Sequence, residues 1–90
     1  MKLLGYERVH GEKDGKKWDF VKMYIEKENM PPNAECGGSV ILTNFNKAGN
    51  TTLPSIPSDD FAALLRKGLT IGSNIDLSYS YDHKLRVSII

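Results

Sequence analysis

Apolar positions in this chain follow two periods, and the change between them locates the elements. Residues 2–10 set Leu3, Leu4, Tyr6 and Val9 among charged neighbours and read as a first strand. Gly11-Glu12-Lys13-Asp14-Gly15 follows, and its Asp-Gly pair supplies the positive-φ residue that a hairpin turn needs. Residues 17–27 form the strongest strand pattern, rich in aromatic and β-branched side chains and free of breakers. These two strands are expected to make a long hairpin. Residues 28–37 are a loop, because Pro31-Pro32 disfavours helix and ladder alike and Gly37-Gly38 ends the stretch. Val40, Ile41, Leu42 and Thr43 give residues 38–45 the character of a short buried strand. Residues 46–57, broken by Gly49, Pro54 and Pro57, read as a second loop.

The period then lengthens to that of a helix. Ser58 is an expected N-cap, and Asp59 and Asp60 fall in the first turn, where the helix dipole favours anions. Phe61, Leu64 and Leu65 share one face, Ala62 and Ala63 are strong helix formers, and Arg66 and Lys67 occupy the last turn. Gly68 is a natural residue just beyond the helix, from which Leu69 can fold back on Leu64. Alternation returns over residues 74–81, with Ile75, Leu77, Tyr79 and Tyr81 on one face. Asp82-His83-Lys84 is a tight turn, and Leu85, Val87 and Ile89 point inward from residues 85–90. The closing pair is a second hairpin.

Three meandering strands, a helix and a closing hairpin is the element order of the OB-fold. The expected class is therefore mostly β: a five-stranded OB-like barrel with one short helix between strands three and four. The alternative is an open α+β sheet with the helix on one face. Ninety residues make a single domain, 1–90. An apolar share of 40% and a charged share of 26% suit a globular chain. No apolar run approaches the roughly 20 residues of a spanning helix, and the first residues turn polar too soon for a signal-peptide core. A single cysteine excludes an intramolecular disulfide and counts against a thiolate zinc site. A cytoplasmic domain without metal or cofactor is expected.

Candidate chemistry centres on the second strand. Its odd positions Val21, Met23 and Ile25 are aliphatic and suit an interior, whereas Trp18, Phe20, Lys22, Tyr24 and Glu26 share the other face. Aromatic rings in a row with a cation are what single-strand binders use, stacking bases on rings while lysines meet phosphates. Lys16 and Lys17 adjoin the row, Lys13 lies in the preceding turn, and Arg8 on the paired strand is expected nearby. Alternatively the three rings fill a second small core, pack under the Pro-rich loop, or form a homodimer or protein-partner surface. Tyr79 is expected in the core and Tyr81 at the rim of its turn, with an addition to the stacking surface as the other reading. Cys36 with His10 or His83 as base lacks a third orienting group, so no enzyme activity and no catalytic residue is expected.

Gly11-Glu12-Lys13-Asp14-Gly15-Lys16-Lys17-Trp18, running into Phe20 and Tyr24, resembles small OB-fold proteins of bacteriophages and conjugative elements. In outline the chain is similar to the single-stranded-DNA-binding, helix-destabilising proteins of filamentous phages. It departs from them in placing a helix between the third and fourth strands. Residues 69–77 and 85–89 resemble the ending of many small OB barrels. The resemblance implies non-enzymatic binding of single-stranded DNA with little sequence preference. The charge balance, 12 basic against 11 acidic residues, makes stacking the larger contribution. The alternative is an adaptor or assembly module of a phage or mobile element using the same aromatic face.

Overall fold

The computed structural model describes residues 1–45, 48–82 and 84–90, in the order β1 (Lys2–Lys13), β2 (Lys16–Met30), β3 (Gly38–Ile41), β4 (Asn44–Phe45), β5 (Thr51–Thr52), β6 (Ser55–Pro57), α1 (Ser58–Arg66), β7 (Ile75–Tyr79) and β8 (Leu85–Ile89). The described residues are β-rich, their strand pairs are antiparallel, and they carry one helix.

The first hairpin is longer than expected because its turn is shorter. Lys13 pairs with Lys16, leaving only Asp14 and Gly15 in the loop, with φ of 53° and 78°. Two consecutive positive φ values match the twist of the flanking strands, so Gly11, Glu12 and Lys13 belong to β1 rather than to the turn. β2 continues to Met30, where Pro31-Pro32 stops the ladder. An irregularity between Leu3 and Gly5 shifts the register at the start of β1.

Alternation along β2 builds the core. Val21, Met23 and Ile25 are buried, together with Leu3, Ile56, Phe61, Leu64, Leu69 and Ile75. Burying an aliphatic or aromatic side chain contributes roughly 1.5–3 kcal/mol, so this cluster is what holds the hairpin, helix and C-terminal strands together. Tyr6 meets Phe61 of α1, with ring centroids 4.6 Å apart.

The helix ends as its sequence predicts. Gly68 adopts φ of 105°, its N–H donates to the carbonyl of Leu65, and Leu69 N–H donates to that of Leu64. This pair of bonds is a Schellman ending, and it turns Leu69 into the core. The helix start differs from expectation. Pro57 occupies the N-cap position without a side-chain capping bond, and the Ser58 hydroxyl instead donates to Asp19 Oδ1 at 2.5 Å.

Other expectations are corrected. Residues 55–57 form β6, which pairs with β2 through Ser55–Lys22, Ile56–Val21 and Pro57–Phe20. Proline lacks a donor but retains its carbonyl, and the Pro54 carbonyl accepts the Met23 N–H at 2.9 Å. β3 is shorter than expected and lies exposed: Val40 and Ile41 keep 40% and 43% of their surface. It covers the edge of β2 without reaching the core. Tyr79 is also exposed, at 64%, at the end of a face of β7 along which exposure rises from buried Ile75 through half-buried Leu77. Tyr81 is fully exposed beside the final turn. Asn46, Lys47 and His83 of the expected loops lie outside the described residues.

Among the described residues three sheets result, β3-β2-β1 with β6 attached to β2, β4-β5, and β7-β8. β1 meets the C-terminal hairpin by a bridge between Lys2 and Asn74, reinforced by Leu3 N–H to the Ser73 carbonyl and Ile75 N–H to that of Met1. Among the described residues no ladder joins β3 to β8, so the sheets do not close into a barrel.

Candidate functional site

The register of the first hairpin decides which candidate residues share a face. Directly paired residues project to the same side of a sheet. Trp18 pairs with Gly11, Phe20 with Val9, Lys22 with Glu7 and Tyr24 with Gly5. These residues form the outer face of the hairpin, opposite Val21, Met23 and Ile25. None of the three rings is buried: Trp18 is 40% exposed, and Phe20 and Tyr24 are half-buried.

The glycines of β1 explain how the larger rings lie. A Cβ at Gly11 would stand 2.6, 2.9 and 3.1 Å from three indole atoms, so the Trp18 ring lies across the bare backbone of its partner. Tyr24 Cδ2 lies 3.9 Å from where a Cβ of Gly5 would be, an ordinary contact that a small side chain would also allow. Neither glycine has positive φ. At Gly11 the missing side chain serves close approach of the indole rather than backbone conformation. The indole thus has a fixed seat on the sheet while two-fifths of its residue's surface faces solvent.

The cations divide between faces. Lys13, Lys16 and Lys22 lie on the aromatic side by alternation, with Lys13 and Lys16 paired at the hairpin tip. Lys22 Nζ is 4.0 Å from Glu7 Oε1, a separation at which the two charges partly compensate. Arg8 and Lys17 lie on the opposite side, where Arg8 pairs with Val21 and Lys17 with Glu12. Their placement corrects the expected cluster. Counting back from a two-residue turn predicts this outcome, whereas a five-residue turn leaves the register of Arg8 undefined.

Arg8 is engaged elsewhere. Its Nε and Nη2 donate to the two oxygens of Asp19 at 2.8 and 2.7 Å. The guanidinium, and then the Ser58 hydroxyl, hold the Asp19 carboxyl well below the usual carboxylate range. Arg8, Asp19 and Ser58 tie the hairpin to the first turn of α1, beside an open groove of about 310 Å³ floored by Tyr6, Phe61 and Leu65.

A second wall completes the aromatic side. Phe20 and Lys22 border a groove of about 410 Å³ whose far wall is Thr51, Thr52, Leu53 and Ser55. These residues, three of which carry hydroxyls, were hidden in an expected loop, and pairing of β6 with β2 brings them beside the ring row. The arrangement offers flat apolar rings, three lysines and several hydroxyls to one elongated ligand.

Cys36 stands apart. It is exposed, and its N–H donates to Asn33 Oδ1 at 2.9 Å within the loop after β2. Asn33 Nδ2 lies 3.7 Å from its sulfur. His83 lies outside the described residues, and among those described no group of His, Cys, Asp and Glu is placed to hold a metal ion. No helix of the described chain is long and apolar enough to cross a membrane. No protein-family model, curated protein or solved structure matches the chain.

Proposed function

We propose that this chain binds single-stranded nucleic acid, with little sequence preference, on the outer face of its first hairpin. Trp18, Phe20 and Tyr24 stack on bases, and Lys13, Lys16 and Lys22 meet phosphates. The observation that supports this reading best is the division of β2. Its aliphatic residues are buried, while every ring on the other side retains solvent access and Trp18 rests on a glycine. Every base has a π-face, so such a row is tolerant of sequence. Arg8 and Lys17 are not part of the site.

The fold reading is an OB-like module left open along one seam. A three-strand meander, a helix and a closing hairpin keep the OB order, and the Lys2–Asn74 bridge is the beginning of closure between first and fourth strands. A small binding module of this kind is in keeping with the resemblance to phage and mobile-element proteins. Anisotropy of labelled oligo-dT tests the function. Trp18→Ala weakens binding by about 1–3 kcal/mol, or roughly five- to 150-fold, while Trp18→Phe keeps most of it. Equal affinity of wild type and Trp18→Ala rejects the proposal. Loss of a concentration-dependent dimer in Trp18→Ala, with no oligo-dT binding by either protein, assigns the face to assembly instead.

A further inference from the structure

The unused β8 edge of the C-terminal hairpin is the feature of the molecule with the clearest unassigned chemistry. A groove of about 470 Å³ separates α1 from β8. Five successive residues, Lys84, Leu85, Arg86, Val87 and Ser88, line it. Side chains of a strand alternate in direction, so a groove that touches successive residues follows the strand's edge rather than one face. β8 pairs only with β7 among the described residues, which leaves its outward backbone groups along the groove.

The walls carry a definite charge and texture. Ile56, Leu64 and Val87 give an aliphatic floor, and Lys67, Lys84 and Arg86 stand around it, with Asp60 the one carboxylate among the described lining residues. Lys84 is 3.8 Å from Asp82, but neither Lys67 nor Arg86 has an ion-pair partner among the described residues. Among the described residues no aromatic ring lines this groove, so a nucleic-acid base would find no ring to stack on. An aliphatic side chain fits the floor, and carboxylates match the rim.

We propose that an acidic, aliphatic-bearing segment of a partner protein docks here as an added strand along the β8 edge, with its carboxylates on Lys67 and Arg86. Strand addition draws affinity from main-chain hydrogen bonds and specificity from alternate side chains. The site is separate from the aromatic face and does not depend on the nucleic-acid reading.

The test uses the full chain and a labelled peptide in which glutamates alternate with leucines. The wild type binds this peptide and not its lysine-for-glutamate counterpart. Reversing both charges (Lys67→Glu with Arg86→Glu) lowers affinity by about tenfold. N-methylation of alternate peptide nitrogens abolishes binding, and the amide resonances of residues 85–88 shift on addition of the unmodified peptide. Trp18→Ala leaves peptide binding unchanged, which separates this site from the first. Equal binding of the N-methylated peptide overturns strand addition. Two other outcomes also overturn the proposal: oligo-dT binding that falls on charge reversal while the peptide fails to bind, or a dimer of the free chain that Arg86→Glu dissolves.

Discussion

Gly11→Ala is the substitution whose sign tests the seat of the indole. Gly11 does not have positive φ, so alanine carries no backbone strain there. Elsewhere in a strand the change stabilises by roughly 0.5–1 kcal/mol, because glycine loses more freedom on folding. Here the new methyl would stand 2.6 Å from the nearest indole carbon, where ordinary contact begins at 3.4 Å, so the ring must retreat by about 0.8 Å. Overpacking of this kind costs typically 1–3 kcal/mol, and partial exposure of Trp18 places the cost near the lower end, about 1 kcal/mol. The same substitution in a Trp18→Ala background meets no ring and should stabilise by roughly 0.5–1 kcal/mol. A double-mutant cycle from urea unfolding therefore gives a coupling of about 1.5–2 kcal/mol, with opposite signs in the two backgrounds. Equal destabilisation by Gly11→Ala with and without the indole refutes the packing described.

The remaining predictions concern charge and backbone. Glu7→Gln frees Lys22 from its partial compensation, so oligo-dT affinity should rise and its salt dependence steepen, as read by anisotropy at several salt concentrations. Asp19 has a depressed carboxyl pKa in the folded chain, so its contribution is present above the unfolded value of about 3.9 and is lost as pH falls below it. Thermal melts of wild type and Asp19→Asn should accordingly differ at neutral pH and converge as the solution is acidified below about pH 4. Gly68→Ala forces a side chain into φ of 105° at the helix end and should cost roughly 1–2 kcal/mol, measured as a fall in Tm of about 4–8 °C per kcal/mol.

Local signals in the sequence translate directly where one physical cause dominates. The Asp14-Gly15 turn, the buried alternation of Val21, Met23 and Ile25, and the Gly68 helix ending each depend on a few adjacent residues, and all three appear in the structure. β6 was obscured because Pro54 and Pro57 signal a loop, yet its attachment to β2 uses the Pro54 carbonyl and the burial of one residue, Ile56. Val40, Ile41 and Tyr79 carry core-like side chains yet stay exposed, a tertiary fact that strand periodicity does not contain. The ring row of the candidate site was legible from alternation alone. Its cations were only half legible, because the face of Arg8 depends on cross-strand register and therefore on the length of the turn. The hydroxyl wall of Thr51, Thr52 and Ser55 depends on a long-range pairing that no local pattern announces.

The most direct test of the nucleic-acid reading is the emission of Trp18, the single tryptophan of the chain, during titration with oligo-dT at low ionic strength. Stacking predicts saturable quenching, with log affinity falling against log salt at a slope of about −2 for three lysine–phosphate contacts on a single strand. Unchanged Trp18 emission at saturating oligo-dT under those conditions contradicts it.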